Sequence, residues 1–144
     1  MCDNILIKEF VKYETALTLK EWGFDKPCLA YYQCNDFFMC EDNPRLIQFT
    51  DSYSYDNKGE FMIGGDCSAP LYQQAIDFLR EKYHIYIDYS TFSELGNESY
   101  SIRMNFGDTS RSGYFGEFLT FHEAREHSIN LAIHIHSIIM KHKL

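Results

Sequence analysis

The chain has 144 residues, of which 45% are apolar and 24% are charged, a mixture typical of folded globular proteins. Its length predicts a single domain, residues 1–144, with a hydrophobic core of its own. The formal net charge of -8 argues against direct binding to nucleic acid or to an anionic membrane surface, because both need a basic patch. An acidic protein that mimics nucleic acid and binds a basic partner is still compatible with this charge.

The first half of the chain predicts one helix, followed by strands. A helix is expected from Tyr13 to Trp22, because apolar residues recur there at helical spacing. Gly23 then provides a C-terminal stop, and Pro27 follows shortly. The other elements predicted for this half are a buried strand at 28–33, an irregular acidic segment at 34–44, and a hairpin with arms at 45–50 and 60–63.

The second half begins with a predicted helix and continues with strands. Pro70 is favoured in a first helical turn, and Ser68 is a candidate N-cap for a helix that extends to Tyr83. Apolar and polar residues then alternate, as expected for strands with one buried face. The predicted strands lie at 84–90, 99–106 and 114–119, with a turn at Gly96 and Asn97 between the first two.

The final helix has the clearest start signal in the chain. The segment Thr120 to Glu123 reads T-F-H-E, a capping box, and predicts a helix from Phe121 to His142. Ile129, Ile133 and Met140 make its apolar side wider than one sheet-facing stripe. This width predicts a second contact, with another helix or with another subunit in a homo-oligomer.

The order of these elements indicates an α+β fold. Short adjacent strands joined by turns favour an antiparallel sheet, which we expect to contain about four to six strands. Three helices are expected to pack mainly on one face of that sheet. The sequence contains no repeat of fixed period and no linker long enough to divide the chain.

The cysteine pattern favours a reducing, cytoplasmic setting. The five cysteines are odd in number and form no C-x-x-C pair, and the N-terminal residues do not read as a signal peptide. Cys67 is the one with a possible chemical role, since it precedes a predicted helix whose N-terminus can acidify a thiol. If Cys67 is reactive, the protein is a small enzyme. The alternative is that Cys67 is an unreactive, partly buried thiol.

The histidines do not predict a metal site, although the final helix contains the sequence HEAREH. In zinc proteases two histidines at positions i and i+4 reach the same ion. Here His122 and His127 are i and i+5, about 140° apart around a helix. We therefore expect no metal and no cofactor, and a histidine-dependent enzyme remains an alternative to a binding protein.

The preferred contact site is the segment from Gly107 to Gly116. It carries Arg111 and Tyr114, and Arg103 lies on the polar face of the strand before it. Two guanidinium groups beside hydroxyls and an aromatic ring can hold a phosphate or carboxylate. The sequence thus predicts a contact with a small anionic ligand or a protein through Arg103, Arg111 and Tyr114; the alternative is a solvated hairpin loop.

Three segments also resemble a group of small uncharacterised proteins encoded by phages, prophages and mobile elements of gut anaerobes. The segments are YETALTLKEWGFDKPC at 13–28, APLYQQAIDFLREKY at 69–83 and TFHEA at 120–124. In that group ALxLKExGFDxPC opens the chain and APxYQQAxxxxREKY occupies the middle. The resemblance does not extend to residues 34–65 or to the segment around Arg111. It implies a mobile-element context and supplies no activity and no site residues.

Together these observations favour a cytoplasmic binding module that self-associates and that engages a host protein or a small anionic ligand. The two alternatives are a small enzyme that uses Cys67 or a histidine, and an acidic mimic of nucleic acid.

Overall fold

The computed structural model describes residues 7–26, 28–33, 35–39, 67–107 and 111–142. These residues form three helices and six strands, and all strand pairs are antiparallel, which confirms the predicted α+β class. The strands are divided between two three-stranded sheets. The predicted hairpin at 45–63 lies outside the described residues. In chain order the elements are α1 (Tyr13–Glu21), β1 (Ala30–Gln33), β2 (Asp36–Met39), β3 (Cys67–Ala69), α2 (Tyr72–Tyr83), β4 (Ile85–Glu94), β5 (Asn97–Phe106), β6 (Arg111–Phe118) and α3 (Phe121–His142).

The contacts divide the chain into two compact units, Met1–Ala75 and Ile76–Leu144. The first unit contains α1 and a sheet of order β2-β1-β3, and the second contains a sheet of order β4-β5-β6 together with α3. Helix α2 begins in the first unit and ends in the second. A single domain over 1–144 stays a prediction.

Helix α1 ends where the sequence predicts, and its backbone shows why. Gly23 has a φ of 94°, a conformation that glycine adopts without a steric penalty. Its N–H donates to the Lys20 carbonyl at 3.0 Å, and the N–H of Phe24 donates to the Leu19 carbonyl at 2.9 Å. These two bonds make a Schellman motif, and the buried side chains of Leu19 and Phe24 are its expected hydrophobic contact.

The segment expected to be irregular at 34–44 contains a strand, so that prediction was wrong. Residues Asp36–Met39 form β2, which pairs with β1 after a tight turn in which Asn35 has a φ of 69°. Phe37 anchors this strand, since its ring centroid lies 5.0 Å from that of Phe10 and 5.7 Å from that of Tyr32. Aromatic packing therefore decides the structure here, although acidic residues dominate the surrounding sequence.

The start of α2 also differs from the prediction. Ser68 is not an N-cap, because it lies in β3, where Cys67–Ala69 pairs with β1 and is buried throughout. The helix begins at Tyr72. The backbone N–H of Leu71 donates to Oε1 of Gln74 at 3.0 Å, which is the glutamine half of a capping box. Residues Cys67–Ala69 therefore form a strand, and the side chain of Gln74 caps the helix instead.

The second sheet is built on a long regular hairpin. Strands β4 and β5 pair in continuous register from Ile85 with Phe106 to Glu94 with Asn97. The two-residue turn between them has a positive φ at both positions, as a type I′ turn requires. The predicted alternation is confirmed, since the inward side chains of these strands are buried. The buried set is Ile85, Ile87, Ile102, Met104 and Phe106.

Helix α3 has the predicted bounds and packs on one face of this sheet. The hydroxyl of Thr120 accepts a hydrogen bond from the N–H of Glu123 at 3.1 Å, which confirms the predicted cap. Ser128 donates to the carbonyl of Arg125 at 2.7 Å, so the Tyr89 hydroxyl, 2.7 Å from the Ser128 oxygen, is the donor in that pair. This hydrogen bond ties β4 to the helix.

Candidate functional site

The candidate contact surface is the side of the second sheet that faces away from α3. Alternation along β4 and β5 places Tyr86, Asp88, Arg103 and Asn105 on this side, and all four are exposed. We call these four residues the outer sheet face. Because α3 anchors the opposite side of the same strands, the outer sheet face is held on a rigid support.

Arg103 lies at the centre of a cross-strand row on this face. Its Cα partners are Asp88 in β4 and Tyr114 in β6, so the structure brings together two of the three predicted contact residues. Directly opposed residues of antiparallel strands interact through their side chains, and an acidic residue opposite an arginine is a favourable pair. Arg103 is thus positioned next to Asp88 and still exposed on the central strand.

Arg111 is placed differently from Arg103 and Tyr114. Its Cα partner is Phe106, which belongs to the alternate set of β5 positions from Arg103. The backbone register therefore does not place the two arginines in one row. The roles of Arg103, Arg111 and Tyr114 in binding stay a prediction.

The strand predicted at 114–119 begins earlier than expected, since β6 spans Arg111–Phe118 and includes most of the segment from Gly107 to Gly116. Its glycines leave room for aromatic rings. A Cβ at Gly113 would lie 3.0 Å from the ring of Phe115, and one at Gly116 would lie 2.5 Å from the ring of Phe118. Gly116 also has a φ of 69°, close to the register shift between β5 and β6. These glycines thus serve packing and a bulge, although glycine in a sequence commonly indicates a loop.

A surface pocket of about 330 Å³, which no motif in the sequence indicates, lies between β6 and α3. The ring of His127 stands 5.3 Å from that of Phe118. The helical residues of the pocket follow an i, i+3, i+4, i+7 pattern, which by itself indicates only a polar stripe. Its two carboxylates favour a cationic group over an anion. The pocket is lined by Phe118, Glu123, Glu126, His127 and Asn130.

Cys67 does not occupy the position that a reactive thiol requires. It is fully buried in β3, whereas α2 begins only at Tyr72. Its Cα partner in β1 is Tyr32, whose hydroxyl donates to the Val11 carbonyl at 2.6 Å. Burial, and to a smaller extent the nearby Cys67, raise the pKa of Tyr32 from 10.0 to about 12. The predicted setting of Cys67, on the approach to a helix N-terminus, is corrected to an interior strand, because the segment pairs with β1.

The histidines of α3 contact different partners. Nε2 of His122 lies 3.5 Å from Oε2 of Glu126, whereas the ring of His136 lies 5.3 Å from that of Tyr83. In the part of the chain that the structure describes, no group of three His, Cys, Asp or Glu side chains is placed to hold a metal ion.

Comparison with protein families, curated proteins and solved structures finds no match to this chain. The resemblance to phage and mobile-element proteins therefore stays a prediction that rests on the three sequence segments. Among the described helices, none is long and apolar enough to cross a membrane.

Proposed function

We propose that this protein is a small cytoplasmic binding module whose contact surface is the outer sheet face. The observation that carries the proposal is the row of Asp88, Arg103 and Tyr114 across three paired strands. The row is exposed at Asp88 and Arg103, while the reverse side of the strands is packed against α3. Residues on such a supported strand pair need little backbone rearrangement to bind a partner, which lowers the entropy cost of binding.

The charge pattern of the outer sheet face favours a protein partner over a free anion. The guanidinium of Arg103 can hold a carboxylate through two hydrogen bonds. Asp88, directly across the strand pair, would repel a multiply charged anion such as phosphate. A protein surface with both signs of charge satisfies both residues. Tyr86, which is 42% exposed, adds apolar area with a polar tip, a combination common at protein interfaces.

The mobile-element resemblance makes a host protein the proposed class of partner, by analogy alone. A small carboxylate ligand is the narrower alternative that Arg103 supports. These two possibilities make different predictions, because a ligand bound through Arg103 alone would not require Tyr86.

The test is quantitative affinity capture from an extract of the native host, followed by calorimetry with the purified partner. Arg103→Gln removes the charge and keeps an extended hydrogen-bonding side chain. Arg80→Gln is the matched control, since Arg80 is an exposed arginine in α2. We expect Arg103→Gln to weaken binding at least about tenfold and Arg80→Gln to leave it unchanged. A partner that binds all three proteins equally would refute the outer sheet face as the contact surface.

A further inference from the structure

The turn between β4 and β5 carries a residue that its backbone does not favour. Both central residues of a type I′ turn need a positive φ, so Asn-Gly is the preferred pair. Here the pair is Leu95, with a φ of 52°, and Gly96, with a φ of 81°. A left-handed conformation costs a leucine conformational energy that asparagine or glycine largely avoids. Local stability therefore does not explain Leu95.

The side chain of Leu95 also makes almost no contact within the fold. It is 97% exposed, and Phe92, three residues earlier on the same hairpin, is 58% exposed. Glu94 lies between them in the sequence and Glu98 follows the turn, and both glutamates are exposed as well. We call residues 92–98 the hairpin tip. The exposed apolar side chains of the hairpin tip, with acidic residues nearby, are complementary to an apolar surface that has basic groups at its border.

The C-terminal end of α3 is a surface of that kind. Ile138 is 41% exposed, and Lys141 and His142, which follow it by three and four residues, are exposed on the same side of the helix. We call these three residues the helix end. Leu131 and Ile135, on the same side of α3, are half-buried and continue its apolar character toward the sheet.

The hairpin tip and the helix end lie at opposite ends of the second unit. Near its start α3 contacts the middle of β4, where Tyr89 meets Phe121 with ring centroids 5.0 Å apart. Farther along, the ring of His136 lies 5.3 Å from that of Tyr83, immediately before β4 begins. The helix thus ends beside the first residues of β4, and the hairpin tip follows the last ones. If two copies lie side by side with their β4 strands antiparallel, the hairpin tip of each copy lies next to the helix end of the other.

We propose that the protein forms a two-fold symmetric homodimer in which Leu95 and Phe92 of each copy dock against Ile138 of the other. Glu94, which alternation along β4 places on the same face of the hairpin as Phe92, then faces Lys141 of the partner copy, so charge as well as apolar character is complementary. A two-fold interface uses each contact twice and closes the assembly at two copies. This proposal is independent of the outer sheet face, so Arg103→Gln should leave the dimer intact.

Leu95→Asn tests the proposal because it should make the fold more stable and the dimer less stable. The variant creates the Asn-Gly pair that a type I′ turn prefers, so we expect Tm to rise. It also removes an apolar side chain from the hairpin tip, so we expect the dimer dissociation constant from sedimentation velocity to increase at least tenfold. Leu119→Asn is the matched control, because Leu119 is 79% exposed in the same unit and lies outside both surfaces. It should leave self-association unchanged.

Charge reversal provides the second arm of the experiment. Glu94→Lys and Lys141→Glu should each weaken the dimer, and the double variant should recover at least part of the loss because opposite charges face each other again. Three results would overturn the proposal. The wild type could remain monomeric up to several hundred micromolar, Leu95→Asn could dimerise like the wild type, or the charge-reversed pair could show no recovery.

Discussion

The two sheets of this protein differ in what their strands present. In the first sheet Ala30, Cys67, Ser68 and Ala69 are all fully buried, and Tyr32 is nearly so. In the second sheet buried and exposed residues alternate along β5, so one side is core and the other is surface. The comparison indicates that β1 and β3 of the first sheet serve mainly the interior, whereas the second sheet also has an exposed side. This difference supports the proposal that the contact surface lies on the second sheet.

The largest expected effect is a loss of stability in the second sheet. It tests whether the side of this sheet that faces α3 is a close-packed core, like the interior of the first sheet. Ile102 is fully buried in β5, beside the exposed Arg103. We expect Ile102→Ala to lower the free energy of unfolding by about 2–5 kcal/mol, because it leaves a cavity. Arg103→Ala should change it by no more than about 0.5 kcal/mol. Urea unfolding of both variants gives the comparison, and similar losses for the two would contradict the assigned faces.

A smaller effect is expected from the buried hydroxyl of the first sheet. Tyr32→Phe removes the donor to the Val11 carbonyl. Loss of that bond leaves a buried acceptor unsatisfied and should cost about 1–3 kcal/mol in the free energy of unfolding. Tyr86→Phe, on the outer sheet face, is the control and should have little effect in the same urea titration. An equal change in both variants would mean that Tyr32 is not an interior residue.

Alkaline pH should reveal the ionisation of the buried Tyr32. Burial raises the pKa of Tyr32 to about 12, so between pH 10 and 12 the unfolded chain releases its proton while the folded protein retains it. Stability is therefore fully present below pH 10 and declines as the pH rises toward 12. Tyr83, Tyr89 and Tyr100 also have raised pKa values and share in this decline. Tyr32→Phe should make Tm fall less steeply across this range, and an unchanged slope would contradict the contribution of Tyr32.

The last prediction concerns the reactivity of Cys28 and Cys67 and involves no change in stability. Cys28 and Cys67 are buried, so both should react with a disulfide reagent at neutral pH only as fast as the protein opens. Peptide mapping after timed labelling would show this, with urea-unfolded protein as the control. Rapid and selective labelling of Cys67 in the native protein would instead revive the enzyme hypothesis.

Local signals explain which parts of the fold could be predicted from the sequence. Gly23 ends α1 and Thr120 starts α3 through bonds to residues a few positions away, so both boundaries follow from the adjacent sequence. Strands β2 and β3 depend instead on β1 and on ring packing around Phe37, which are tertiary contacts. Such contacts overrode the acidic composition near Asp36 and the capping preference of Ser68.

The candidate site was predictable to a similar extent. Alternation of apolar and polar residues along β5 is sufficient to place Arg103 on the polar side of that strand. Its pairing with Tyr114 depends on where β6 begins and on the register shift beside Gly116, neither of which the local sequence specifies. The prediction that Arg111 and Arg103 share one site assumes that both flank a loop. In the structure Arg111 instead pairs with Phe106 across β5 and β6, whereas Arg103 pairs with Tyr114.

Native mass spectrometry of the gently purified protein is the most direct test of the outer sheet face as a binding surface. Wild type, Arg103→Gln and Arg80→Gln would be isolated from the native host under identical conditions. We expect a bound protein on the wild type and on Arg80→Gln that is absent or strongly reduced on Arg103→Gln, whatever the number of copies in the assembly. The same bound species on all three proteins, or none on any of them, would contradict the outer sheet face as a binding surface.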